Sequence, residues 1–285
     1  MNIRNLFLFL FSALGLSLTA QRDPLPYRLY TGEGKPVKFK KLVRAAGETD
    51  VILFGELHNS AVAHWLQLEL ARSLDSFDLG LEMFETDEQR AVEGFRRGRV
   101  SYAQLDSLTG GLWPNFETDY LPIVELARTR GGKVVATNVP RRYARQVFRG
   151  GFEALAALPD EEQALLPPLP VPYDPELPGY RRMLEMMPGG HGGATFPMAQ
   201  AIKDASMGYR IARAARAGRP FLHLNGGYHS DDYEGIGWYL AQYAPELRRV
   251  TVSTVEQEDL SELEAAYAGK ADFILVVPAV GLKTY

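Results

Sequence analysis

Six short apolar runs punctuate the chain: Val51–Phe54, Leu79–Leu81, Lys133–Thr137, Phe221–Asn225, Arg249–Val255 and Phe273–Val277. They are rich in β-branched residues and separated by longer amphipathic stretches. Strands of that kind are buried on both sides, which predicts an α/β fold: a mostly parallel sheet with helices on both faces. Ala61–Leu74 reads as a helix with Asn59 or Ser60 as its N-cap, and a second helix runs from Thr86 or Asp87 to about Arg97. Tyr120–Arg128 carries proline in its first turn and stops at Gly131-Gly132, as a helix would.

One stretch departs from this rhythm. Residues 141–193 contain no credible strand but many prolines, with helical pieces at Phe152–Ala157 and Pro178–Met187. A connection of that length is usually functional or mobile rather than filler. It is read as a helical, proline-rich insertion that covers the carboxyl edge of the sheet as a lid. It carries Tyr173, Tyr180, Met183, Met186, Met187 and His191, with a Gly-Gly-His-Gly-Gly turn at Gly189–Gly193.

The first twenty residues are expected to lie outside the fold. Arg4 precedes an almost unbroken apolar stretch from Leu6 to Leu18, and Thr19-Ala20 offers a small residue for cleavage. This is the pattern of a secretory signal peptide, with an uncleaved anchor as the alternative. It predicts a periplasmic or secreted protein whose single mature domain spans residues 21–285. The chain has no cysteine, so it has no disulfide, no thiolate zinc site, no cysteine nucleophile and no point of lipid attachment. Its formal net charge of -4 argues against nucleic acid as a partner.

Two of the strands end alike. Val51–Phe54 runs into Gly55-Glu56-Leu57-His58, and Phe221–Asn225 runs into Gly226-Gly227-Tyr228-His229. Glycine permits a sharp turn where a strand stops. The histidine then projects from the carboxyl edge, where open α/β sheets bind ligands. His64 falls in the first turn of the helix after the first unit. Glu82 and Glu85 follow the second strand, Asn138 and Arg141 the third, and Asp231 and Asp232 the fourth. Imidazole and carboxylate together suit a divalent transition metal ion, held by His58, His229, Glu56 and Glu82. Glu56 or Glu82 would then serve as general base of a metal-dependent hydrolase. The same convergence would equally seat haem, whose iron accepts His, Tyr or Met. His223 and His191 read as structural. Serine-hydrolase elbows, phosphate loops and His-Glu-x-x-His helices are all missing from the sequence.

The order of these segments resembles the ChaN-like family of haem-binding, iron-regulated bacterial envelope proteins, in a superfamily with Tiki peptidases and erythromycin-esterase-like enzymes. The resemblance rests on Gly55–His58 with His64, Glu82–Glu85, Leu121–Glu125, Asn138–Arg142, Phe196–Gln200, Lys203–Met207 and Asn225–His229. It implies haem or iron handling outside the cytoplasm, with haem or an iron-containing small molecule as ligand. A tyrosine axial ligand is implied by analogy, with Tyr173, Tyr180 and Tyr209 as candidates. The resemblance also leaves room for an envelope transport partner and for a homodimer sharing haem. The expected haem-contacting set is His58, His64, Glu85, Asn138, Arg141, Tyr173, Tyr180 and His229, with a metal-dependent hydrolase as the alternative function.

Overall fold

The computed structural model describes residues 25–185 and 193–285. The expected signal peptide, Met186, Met187, His191 and most of the Gly189–Gly193 turn therefore lie outside the described residues. The chain opens with a hairpin, β1 (Arg28–Thr31) and β2 (Pro36–Val37), followed by helix α1 (Phe39–Gly47). Strand β3 (Val51–Glu56), helix α2 (Ala61–Ser73) and strand β4 (Asp78–Glu85) come next. Then follow α3 (Gln89–Arg96), α4 (Tyr102–Leu108), a π-helical turn at Phe116–Tyr120 that runs into α5 (Leu121–Thr129), and strand β5 (Val134–Asn138). The insertion supplies α6 (Arg141–Gly150), α7 (Glu153–Ala156), α8 (Asp160–Gln163) and α9 (Pro178–Glu185). The remainder is α10 (Thr195–Ala214), β6 (Phe221–Gly226), α11 (Ile236–Tyr243), β7 (Arg249–Gln257) and β8 (Phe273–Pro278).

The eight strands among the described residues join one sheet in the order β2-β1-β8-β7-β3-β6-β4-β5. Strands β3 to β8 run parallel; β1 lies antiparallel to β8, and β2 antiparallel to β1. The mostly parallel α/β arrangement read from the apolar runs is thus the one observed, with an added antiparallel edge. Alternation along β3 sorts the core into two layers. Ile52 and Phe54 pack with α2 and α5 on one face, while Val51 and Leu53 meet Met207 and Ile211 of α10 and Leu240 of α11 on the other. Each such buried side chain contributes about 2 kcal/mol of hydrophobic stabilisation.

The order places β6 between β3 and β4, and β7 on the other side of β3. The chain direction across the sheet therefore reverses around β3 and β6, the kind of place where open α/β sheets form a crevice. Glu56 sits in register with Gly226, so both Gly-x-x-His units leave the sheet side by side. Strand β4 is longer than its apolar run Leu79–Leu81, because its pairing with β5 resumes at Glu85 after a bulge. The bulge lets polar residues at 82 and 85 remain inside a strand. The insertion forms its own cluster, in which Tyr143, Val147, Leu155, Tyr180 and Met183 pack on Ala201, Ile202 and Ala205 of α10.

Candidate functional site

Strand β3 delivers Glu56 to the carboxyl edge almost fully buried. A carboxylate there requires donors, and three converge on it. Gln67 of α2 donates its amide to Oε2 at 2.5 Å, the Tyr120 hydroxyl donates to Oε1, and His58 approaches Oε1 with Nδ1 at 2.9 Å. Ser60 caps α2 by accepting the Ala63 N–H, which fixes the helix that carries Gln67 and His64. His64 lies behind this group, with Nε2 3.0 Å from the His58 carbonyl and 3.4 Å from Asp119. Donation from Nδ1 to Glu56 leaves Nε2 of His58 as the open nitrogen, and a carboxylate partner of this kind orients and strengthens imidazole ligands. Burial opposes a charge on His58. The Glu56 hydrogen bond and the nearby Glu82 carboxylate outweigh it, raising the pKa above the ordinary imidazole value.

A second polar chain runs beside the first. Beyond the bulge, Glu82 accepts the Gly226 N–H at 2.7 Å and lies 3.1 Å from Nε2 of His229. The other nitrogen of His229 is 2.5 Å from Asp204 of α10, so the ring is held between two buried carboxylates. Burial works against the imidazolium, but the charges of Glu82 and Asp204 prevail and lift its pKa to about 10. Burial likewise pushes Glu82 up, yet the adjacent His229 cation holds it well below the usual carboxylate range. Asp204 is raised, because desolvation outweighs its share of the same cation.

The two chains meet at Gly226. A Cβ there would lie 2.8 Å from His58 Nε2 and 3.6 Å from Glu82 Oε2, so glycine is what admits the His58 ring. The edge of Trp113 closes on the same ring, with centroids 4.8 Å apart. Above the junction opens a cleft of about 570 Å³, lined by Glu56, His58, Gly226, Tyr228, His229 and Tyr285 among others. Tyr228 keeps 44 % of its surface exposed there, while its hydroxyl donates to the Gly179 carbonyl at 2.7 Å and so ties the insertion to the cleft. The C-terminal segment runs along the loop before α2, where Thr284 N–H donates to Asn59 O at 2.9 Å and brings Tyr285 to the rim.

The remaining expected residues are distributed more widely. Asn138 donates to the Glu82 carbonyl at 3.1 Å and supports the bulge from below. Glu85 turns instead to a capping box with Glu88, and Arg141 starts α6 exposed to solvent; neither lines the cleft. Tyr173 packs between Phe152 and Tyr180 inside the insertion. Tyr180 is buried with its hydroxyl 3.4 Å from Asp204, and desolvation followed by that carboxylate keeps it protonated far above the ordinary range. Tyr209 meets the ring of Tyr243 edge to face. His223 is fully buried between Asn225 and Thr137, and burial lowers its pKa to about 4. Sequence reasoning gave no site role to Asp204, Gln67, Tyr120 or Trp113. Asp204 enters that reading only as part of the Lys203–Met207 segment, with nothing to mark it as a buried carboxylate.

Among the described residues, no group of three or more His, Asp or Glu side chains is arranged to hold a metal ion. The reason is visible in the bonding: both nitrogens of His229 and both oxygens of Glu56 are already engaged within the protein. Among the described residues that line the cleft, His58 keeps Nε2 open, and the other unpartnered atom is Asp231 Oδ1 at the far side of Gly227.

The sequence profile of the family described as "Haem-binding uptake, Tiki superfamily, ChaN" matches residues 42–240. The chain belongs to the ChaN family. The match spans both Gly-x-x-His units and the α10 segment that supplies Asp204. Among solved structures, the ChaN of Campylobacter jejuni, described with cofacially bound haem, superposes with a TM-score of 0.64 at 17% identity, over 89% of this chain and 97% of that one. At that identity the likeness is one of fold. A mutant of erythromycin esterase EreC in its open conformation matches at a TM-score of 0.49 and 11% identity, covering 86% of this chain and 94% of that one. The type III effector HopBA1 matches at 0.48 and 12%, covering 84% and 93%. No curated protein sequence matches the chain.

Proposed function

We propose that this ChaN-family chain binds haem in the cleft above His58 and acts outside the cytoplasm in haem or iron uptake. The observation that carries the reading is the Glu56–His58 pair, which presents one imidazole nitrogen to a cleft of about 570 Å³ while Glu56 and His229 are engaged within the protein. Haem brings four equatorial ligands of its own, so one outward donor is what a protein must add. The exposed rings of Tyr228 and Tyr285 offer flat apolar walls to a planar ligand. Family membership supports haem as the ligand. The apolar stretch Leu6–Leu18 supports export.

Titration of the purified chain with haemin tests the assignment. A saturable Soret shift is expected for the parent, and His58→Ala should weaken binding about tenfold or more and move the band, as loss of an iron ligand does. Asn59→Ala, at the rim of the same cleft, should leave the band position unchanged. A parent without saturable binding, or a His58→Ala variant with the parental spectrum and affinity, refutes the reading. Release of the chain by osmotic shock or into the medium, while a cytoplasmic marker stays in the cells, tests the compartment.

A further inference from the structure

The sheet ends at β5, and on its outer side lies a second cavity of about 430 Å³, between α3 and the carboxyl-terminal half of α10. It is remote from the His58 cleft in composition as well as position. Arg96, Arg97, Lys133, Arg210 and Arg213 line it, against the single carboxylate of Glu93. Glu93 is taken up by its helical neighbours, 2.7 Å from Arg96 and 2.5 Å from Arg97. For Lys133, Arg210 and Arg213, no carboxylate lies within ion-pair distance among the described residues. Arg210 is held by the Ala164 carbonyl at 2.8 Å, and its Nε is buried without an acceptor. Such crowding of cations in a chain of net charge -4 is unfavourable unless an anion offsets it.

The same place shows what does not bind. An edge strand is ordinarily open to another strand. Here the Gln89 amide occupies that edge, accepting from Ala136 N–H at 2.8 Å and donating to the Val134 carbonyl at 3.0 Å. Strand addition by a peptide is blocked, while the volume above the edge stays open to a small molecule. We propose that this cavity is a second ligand site, taking a small organic polyanion whose carboxylate or phosphate oxygens are held by Lys133, Arg210 and Arg213. Guanidinium groups present forked donors that suit either oxyanion. The site is independent of the haem reading, since it shares no residue with the cleft.

Isothermal titration of the full chain at low ionic strength tests this, with citrate and inorganic phosphate as separate probes and chloride at matched ionic strength as the blank. Saturable binding of one anion per chain is expected, with citrate and phosphate distinguishing a carboxylate from a phosphate ligand. Lys133→Gln and Arg213→Gln, both at exposed positions that cannot unfold the core, should each weaken it about tenfold, the value of one charge-assisted hydrogen bond. Arg149→Gln, exposed on α6, should change nothing. Absence of saturable heat with both anions overturns the proposal, as does equal weakening by Arg149→Gln. If Arg213→Gln abolishes the haemin Soret shift, the basic cavity is the haem site and the separate ligand is refuted. If His58→Ala alone fails to affect haemin, the cleft assignment falls while this site stands.

Discussion

Removing His229 should abolish the protein's loss of stability below about pH 4.5. The ring stands between Glu82 and Asp204, 3.1 Å from one and 2.5 Å from the other, and both carboxylates are buried. His229→Ala leaves two carboxylates without their counter-charge, and losing one partner from a buried ionic cluster typically costs about 3–5 kcal/mol. For a domain of this size that corresponds to a fall in Tm of roughly 10 °C. The pH dependence is more discriminating. In the parent, His229 has its folded pKa raised to about 10 from an ordinary 6.5, so its contribution is complete below 6.5 and is lost as pH rises towards 10. Glu82 is depressed in the fold, so its contribution is present above its unfolded value of 4.5 and lost as pH falls below it. The parent should thus weaken on acidification below about pH 4.5. In His229→Ala, burial without the cation raises both carboxyl groups, the folded state binds protons more readily than the unfolded one, and stability should increase from pH 7 towards pH 4. Urea denaturation followed by far-UV circular dichroism across that range gives the slope directly. A variant within about 1 kcal/mol of the parent at pH 7, a rough bound on a surface substitution, that also loses stability below about pH 4.5 as the parent does, would refute the sandwiched-imidazolium assignment.

Gly226→Ala should expel the His58 ring, because its Cβ would lie 2.8 Å from Nε2; haemin affinity is expected to drop about tenfold or more with a blue-shifted Soret band, measured by titration. Glu88, with its pKa lifted to about 7 chiefly by desolvation, should make the parent more stable as pH falls from 8 to 5, and Glu88→Gln should flatten that slope in thermal melts. Ser60→Ala removes the cap of α2 and should lower stability by about 1 kcal/mol in denaturant titration.

The parallel strands were legible because burial on both faces leaves unbroken apolar runs, which is why Val51–Phe54 and Phe221–Asn225 could be placed without coordinates. The hairpin at Arg28–Val37 was not, since β2 has only two residues and β1 alternates too briefly to show a period. In the sequence strand β4 looks three residues long, because Glu82 and Glu85 resemble a strand's end. Only the pairing partner Asn138 and the Gly226 N–H reveal that the strand continues and that Glu82 is satisfied. His58, His229, Glu56 and Glu82 could be grouped from the shared rule that polar residues after parallel strands reach one edge. Asp204 could not, because it comes from the middle of α10, where nothing in its neighbours distinguishes a buried carboxylate from a solvated one. Tyr120 reached Glu56 through a π-helical turn, a local geometry with no periodic signature.

The interlocking of the two glycine units bears on how such a chain can change over time. A side chain at Gly55 would strike the Gly227 Cα at 3.0 Å, just as one at Gly226 would strike His58. Each turn is therefore the mould for the other, although some 170 positions separate them in the polypeptide. Drift at either turn alone is disallowed by shape, before any ligand exerts selection, so descendants that lose haem should still retain both.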